Sequence, residues 1–220
     1  MQFVQPADLS PIAQAEPPRD CPLCPRLVAL RHELRLEHPD WWNAPVPAFG
    51  DPDAWLAIVW LAPGKRGANR TGRAFTGDYS GEFFYSTLVK LGLASGVYQG
   101  EADDGLRLVG AAVVNAVRCL PPGNRPLPAE VRDCRPYLER SLGALRQVKV
   151  VVALGQIAHG SVAKALGVKA LFSHGAEAVA PDGRILLSSY HCSRQNTNTG
   201  RLTRDMFESV FERALALKGE

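Results

Sequence analysis

The chain has 220 residues, 46% hydrophobic and 21% charged, with a net charge of +3; that size and make-up suit one domain with arms and exclude wholesale disorder. No apolar run approaches the roughly 20 residues that a bilayer-crossing helix needs, and Pro6, Asp8 and Pro11, with no Lys or Arg before Arg19, argue against a secretory leader. The expected setting is cytoplasmic and reducing, where five cysteines suit metal binding better than disulfides.

Residues 1–19, rich in Pro, Gln and Ala, read as a loosely tied arm ahead of a single domain over 20–220. Residues 39–52, with Trp41, Trp42, Pro45 and Pro47, read as a long structured loop. Residues 55–61 are rich in β-formers and stop at Ala62-Pro63-Gly64, a break signal. Residues 81–93 carry Phe84, Leu88 and Leu91 at helical spacing. Residues 108–117 form the next buried strand, halted by Pro121-Pro122. Residues 128–145 are helical in pattern, with Pro136 expected to start, kink or break the helix. Residues 148–154 are a clear strand, stopped by Gly155 and followed by a helix to about Gly167. Residues 185–190 are a fourth strand, and 203–218 a closing amphipathic helix with Thr203 as its N-cap. The alternation predicts an α/β fold of three layers, a four-stranded parallel sheet flanked by helices. In such folds ligands bind outside the carboxyl ends of the strands, which are followed here by residues 64–78, 118–128, 155–160 and 191–200.

Charge is uneven along the chain. No acid occurs over 54–77, which holds Lys65, Arg66, Arg70 and Arg73. None occurs over 105–129, with Arg107, Arg118 and Arg125, or over 184–204, with Arg184, Arg194, Arg201 and Arg204. Three such segments can converge into one basic face for a phosphate backbone; solvated loops are the plain alternative.

Cys21 and Cys24 form a CxxC pair, with Cys119 and Cys134 as further ligand candidates and Cys192 left over. A tight pair plus two scattered thiols suits a [4Fe–4S] cluster at least as well as zinc, with free thiols as the remaining option. Gly67-x4-Gly72-Arg73 has the glycine spacing of a phosphate loop but lacks the Lys-Ser/Thr that a nucleotide-hydrolysing loop needs. Asp78 stands just before a helix, as an N-cap or as a functional carboxylate. His191 follows the fourth strand, where it could donate to a developing anion or be an ordinary loop residue. Ser193, Arg194, Gln195 and Asn196 offer donors to phosphate or groove, or plain turn chemistry.

Taken together, Cys21-x2-Cys24-Pro25-Arg26-Leu27, the stretch 64–81, Arg118-Cys119-Leu120-Pro121-Pro122-Gly123-Asn124, Val152-Ala153-Leu154-Gly155 and the stretch 191–196 resemble the uracil-DNA glycosylase superfamily. The best match is its iron–sulphur branch, family 5 (B type), over about residues 20–217. The resemblance implies a structural [4Fe–4S] cluster held by Cys21, Cys24, Cys119 and Cys134. It implies a DNA-repair enzyme of the prokaryotic nucleoid, a monomer that flips out and hydrolytically removes uracil, hypoxanthine or xanthine from DNA. Asp78, Asn124 and His191 would be catalytic. His191 would bond a base carbonyl, and Asp78 would position water or stabilise positive charge on the sugar. Gly64, Phe75, Asn115 and Asn196 would contact the flipped nucleotide, with Phe75 stacking on the base. Ser193, Arg194 and Gln195 would meet DNA. The chain departs from the pattern at Lys65 and Arg66, which replace an acid found near Gly64 in the other iron–sulphur branch, at Cys192, and at polar Asn115. An iron–sulphur electron carrier and a non-catalytic nucleic-acid-binding module explain parts of this set, but not an acid, an amide and a histidine at three strand ends.

Overall fold

In the structure, a computed structural model describing residues 14–219, four five-residue strands build the centre: β2 (Leu56–Trp60), β5 (Ala111–Asn115), β6 (Val150–Leu154) and β8 (Ile185–Ser189). They are parallel and adjacent in the order β5-β2-β6-β8. All but Ile185 are fully buried, which is why these segments read as continuous apolar runs. The sheet is larger than the expected four strands. The two-residue β1 (Phe49–Gly50) pairs antiparallel to β5, and the three-residue β7 (Glu177–Val179) antiparallel to β8, making six mixed strands. Such short edges carry too little alternation to be read from sequence, and they blunt the sheet against edge-to-edge pairing. A separate two-stranded ribbon joins β3 (Ala94–Ser95) and β4 (Arg107–Leu108).

Strand alternation sends Leu56, Ile58, Val113, Val152 and Leu187 to one face, under Phe83, Phe84 and Leu88 of α3 (Tyr79–Lys90) and Phe207 and Phe211 of α7 (Arg204–Lys218). Ala57, Val59, Val114 and Val151 face the other way, under Leu138 and Leu142 of α4 (Pro128–Ala144) and Ala158 and Val162 of α5 (Gln156–Ala165). This is the expected layering. Thr203 caps α7, its hydroxyl accepting from the Met206 amide at 3.2 Å. Helix α4 passes through Pro136 without interruption, its start set by Pro128 and by Glu130 reaching back to the Leu127 amide at 2.7 Å.

Helix α1 (Pro25–Glu37) has no counterpart in the sequence reading. It buries only Leu27, Arg31 and Leu34, so one of its three inward residues is a cation and no apolar stripe announces it. Of the arm, residues 1–13 lie outside the described residues. Residues 14–19 are docked rather than loose: Ala15 is buried, and Glu16 pairs with Arg118 at 2.7 Å and accepts from the Ala48 amide at 3.0 Å. Among the described residues no helix is long and apolar enough to cross a membrane.

Candidate functional site

The carboxyl ends of β2 and β5 finish side by side on Trp60 and Asn115, which are partners in the sheet register. Asn115 is fully buried, and among the described residues neither its amide nitrogen nor its oxygen has a hydrogen-bond partner; the buried Trp60 indole N–H also lacks one. Each unpaired buried group costs about 1–3 kcal/mol, so three at one place mark a site kept for an outside partner.

Trp60 packs on Phe75 with ring centroids 3.7 Å apart, and Phe84 lies against Phe75 at 4.2 Å. Phe75 is wholly buried, with Trp60 on one face and Phe84 on the other. The ring expected to stack on a base is therefore covered, and Trp60 is the aromatic group beside the site. Phe75 also has φ +53, a left-handed conformation that is strained for a bulky residue. Two hydroxyls hold it there. Tyr98 donates to the Phe75 carbonyl at 3.1 Å and accepts from the Gly77 amide at 3.0 Å, and Tyr85 donates to the Ala74 carbonyl at 2.6 Å. Behind them the buried Arg73 makes a bidentate pair with Asp104, both contacts 2.7 Å, among the rings of Phe49, Tyr85 and Tyr98. Burial alone would raise the Asp104 carboxyl, but Arg73 and the Gln99 and Leu106 amides outweigh it and hold its pKa down to about 2.

This bracing presents Asp78. It is the N-cap of α3, Oδ1 accepting from the Gly81 amide at 3.0 Å. The other oxygen, Oδ2, lies over a floor of glycine: a β-carbon on Gly67 would meet it at 2.6 Å and one on Gly64 at 3.3 Å. Gly64 thus makes room for the carboxylate. Burial raises the Asp78 pKa, and the Gly81 and Ser80 amides pull it back part of the way.

His191 comes from the loop after β8. Its ring lies 5.8 Å from Trp60 and 6.2 Å from Phe75, and its β-carbon stands 3.4 Å from where a side chain on Gly155 would begin. Among the described residues no charge is placed against it, and desolvation pushes its pKa down to about 4, so it is neutral at pH 7. Asn196 braces this loop, its amide donating to the His191 carbonyl at 2.8 Å, which gives it a supporting place rather than a free edge toward a nucleotide. Ser193 caps α6 (Arg194–Asn198), Arg194 lies over Tyr79 at 5.1 Å and Gln195 is exposed. Asn124 is exposed in the 3-10 turn Pro122–Asn124 and makes no side-chain hydrogen bond to Asp78 or His191.

The basic segments are less bare in space than along the chain. Lys65 pairs with Glu37, Arg70 with Glu101, Arg73 with Asp104, Arg118 with Glu16 and Arg184 with Asp182. Arg184 moreover precedes β8 and stands at its amino end, away from the site. Arg66, Arg125, Arg194, Arg201 and Arg204 have no carboxylate partner among the described residues. The last three instead lie over Tyr79, Tyr190 and Phe83.

The four candidate ligand cysteines line one cavity between α1, the turn after β5 and α4. Donors already point at their sulphurs: Arg31 to Cys119 at 3.8 Å and the Arg118 amide to Cys134 at 3.3 Å, with the Tyr137 hydroxyl 3.9 Å from Cys21. Burial pushes the thiol of Cys24 up to about 11 and that of Cys119 up to about 12. Among the described residues no three His, Cys, Asp or Glu side chains converge tightly enough to grip a single metal ion. Cys192 belongs elsewhere: it is fully buried in the core that holds Trp60 and Phe75. Arg26 binds the cavity to the Asn124 turn, pairing with Glu130 at 2.7 Å and donating to the Arg125 carbonyl at 3.0 Å.

Trp60, Tyr98, Arg31 and the Arg73–Asp104 pair were not singled out as functional from the sequence. Trp60 hides as the last apolar residue of a strand. Arg73 and Asp104 are 31 positions apart, and Tyr98 lies in a glycine-punctuated stretch without periodicity.

Comparison with known proteins agrees with this arrangement. Residues 47–215 match the model of the uracil DNA glycosylase superfamily. A type-5 uracil-DNA glycosylase of Thermus thermophilus is 49% identical over 207 residues, covering 90% of this chain and 94% of the relative. Proteins of the same name from Pyrobaculum aerophilum and Mycobacterium leprae are each 42% identical, covering 91% and 90% of this chain and 90% and 92% of the relatives. With the family model matched over residues 47–215 and these relatives matched over nine-tenths of its length, the chain belongs to the uracil DNA glycosylase superfamily, among the type-5 uracil-DNA glycosylases.

Proposed function

We propose that this chain is a monofunctional DNA-repair glycosylase that flips uracil out of DNA and hydrolyses its N-glycosidic bond, leaving an abasic site, and that it treats hypoxanthine and xanthine likewise. It acts as a monomer on nucleoid DNA. The observation that carries the reading is the buried Asn115 amide at the strand ends, with both polar atoms unpaired. A nucleobase edge supplies the donor and acceptor it lacks.

Bond cleavage leaves positive charge on the sugar and negative charge on the base. Asp78 serves the first: one oxygen is fixed by the Gly81 amide, and the other faces Gly64 and Gly67 and is left to a water or the sugar. His191 serves the second. Held neutral by desolvation, it donates an N–H to a base carbonyl and strengthens that bond as charge grows. Asn124 joins them from its exposed turn when DNA is bound. Phe75 backs the Trp60 ring rather than meeting the base itself, and Asn196 keeps His191 in place. Ser193, Arg194 and Gln195, with the unpaired arginines, meet the DNA backbone.

The donor set fits a [4Fe–4S] cluster held by Cys21, Cys24, Cys119 and Cys134. Four thiols line one cavity, and N–H donors already reach two of them, Cys119 and Cys134, as cluster-ligating sulphurs would require. Such a group supplies a structural tie here. Arg26, two residues after Cys24 in the chain, donates to the Arg125 carbonyl and would carry that tie to the turn holding Asn124.

The test is incubation with duplexes carrying uracil, hypoxanthine or xanthine, followed by alkaline cleavage at abasic sites. Strand breaks at the uracil position are expected. Intact strands at every modified base contradict the proposal.

A further inference from the structure

Asn115 by itself is an ambiguous reader. An asparagine amide offers a donor and an acceptor side by side, and either orientation serves. One orientation suits uracil, donating to O4 and accepting from N3–H. The flipped orientation suits cytosine, accepting from the amino group and donating to N3. Since neither Asn115 atom has a protein partner among the described residues, none of those residues sets the orientation.

Trp60 breaks the tie. It is the register partner of Asn115 on the neighbouring strand, both side chains leaving the same face of the sheet. Its indole is held at 3.7 Å on the Phe75 ring and stands 5.8 Å from His191. Its Nε1–H is buried and unpartnered. An indole N–H is a donor in every state.

We propose that Trp60 is a specificity-determining residue whose indole N–H, on the same sheet face as the Asn115 amide, selects the carbonyl that deamination creates and rejects the amino group it replaces. The inference rests on the glycosylase reading above. Deamination of cytosine to uracil, or of adenine to hypoxanthine, turns an exocyclic donor into an acceptor and puts an N–H beside it. The carbonyl takes the donors of both Trp60 and Asn115, and the N–H meets the Asn115 oxygen. An amino group at the same place meets the Trp60 donor head-on, and flipping Asn115 leaves that clash unrelieved. Leaving buried polar groups unpaired in this way is how a site rejects a near-isostere.

The test replaces Trp60 with benzothienylalanine, which keeps the ring shape and its packing on Phe75 but exchanges the N–H for sulphur. Trp60→Phe serves as a second, genetically simple variant. Each protein is titrated with two oligonucleotides resistant to cleavage, one bearing 2′-fluoro-deoxyuridine and the other 2′-fluoro-deoxycytidine. Wild type is expected to prefer the uracil oligonucleotide, and the sulphur isostere to lose about tenfold of that preference, with binding to undamaged DNA unchanged. An isostere that keeps the wild-type preference overturns the inference. If wild type has no preference and releases no uracil, the glycosylase reading itself falls.

Discussion

The strand-end site and the cysteine cavity are built in opposite ways. At the strand ends, Trp60 and Asn115 are set by the sheet register and by ring packing, while Tyr98, Tyr85 and Arg73–Asp104 brace the turn that leads to Asp78 and Asn196 braces the His191 loop. In the cavity, Cys21 and Cys24 come from a segment far in the chain from Cys119 and Cys134, and single donors to sulphur join the two sides, with the Arg26–Glu130 pair linking the same segments outside the lining. A site that is rigid before its ligand arrives is suited to chemistry. A lining drawn from separate segments and joined by few direct bonds gains most from a ligand that ties it together. Damage to one should therefore leave the other's property standing.

The largest effect is expected at His191. His191→Ala should slow uracil release on the order of 10²–10³-fold in single-turnover assays, while DNA affinity and iron content stay near wild type. Equal loss of binding and release would make His191 a docking residue. Cys134→Ala should do the reverse, bleaching the broad visible absorbance and lowering solubility and melting temperature as the distant loops come apart. Cys192→Ala should leave the colour intact. Metal analysis returning one zinc and no iron per chain contradicts the cluster assignment.

A smaller effect is expected at Tyr98→Phe, which removes one hydroxyl that serves both Phe75 and Gly77. Two hydrogen bonds of about 1 kcal/mol each should disappear from stability, with a several-fold slower release as the Asp78 turn loosens and no change in iron. Unchanged release with lowered stability would confine Tyr98 to folding.

The smallest effect is expected from pH. Desolvation depresses the His191 pKa from 6.5 to about 4, so the folded protein prefers the neutral ring. The stability linked to it is present above pH 6.5 and is lost as pH falls toward 4. Single-turnover release should run flat from pH 8 to 6, without the inflection near 6.5 that an exposed histidine gives. An inflection there, absent in His191→Ala, contradicts the neutral-imidazole assignment.

The four central strands and the helices that cover them were legible because burial on both faces leaves runs of apolar residues and α-helices leave a 3.6-residue stripe. Loops at the strand ends were legible for their chemistry, since Asp78 and His191 stand immediately beside elements the pattern locates. What escaped depends on contacts between distant segments. Helix α1 hides because Arg31 takes an inward position, the edge strands because they are two and three residues long. The covering of Phe75 by Trp60 and Phe84, and the pairing of Arg70, Arg73 and Arg118 with remote acids, arise only on folding. Local lack of acid says little about local charge in space.

The most direct measurement of the central claim is single-turnover uracil release by Asp78→Asn at saturating enzyme. Asparagine still accepts from the Gly81 amide and caps α3, so the fold and melting temperature should hold while only the negative charge is lost. A rate reduced on the order of 10²-fold or more, with stability unchanged, is the predicted result. A rate equal to wild type would make Asp78 a helix cap and contradict the account of this site.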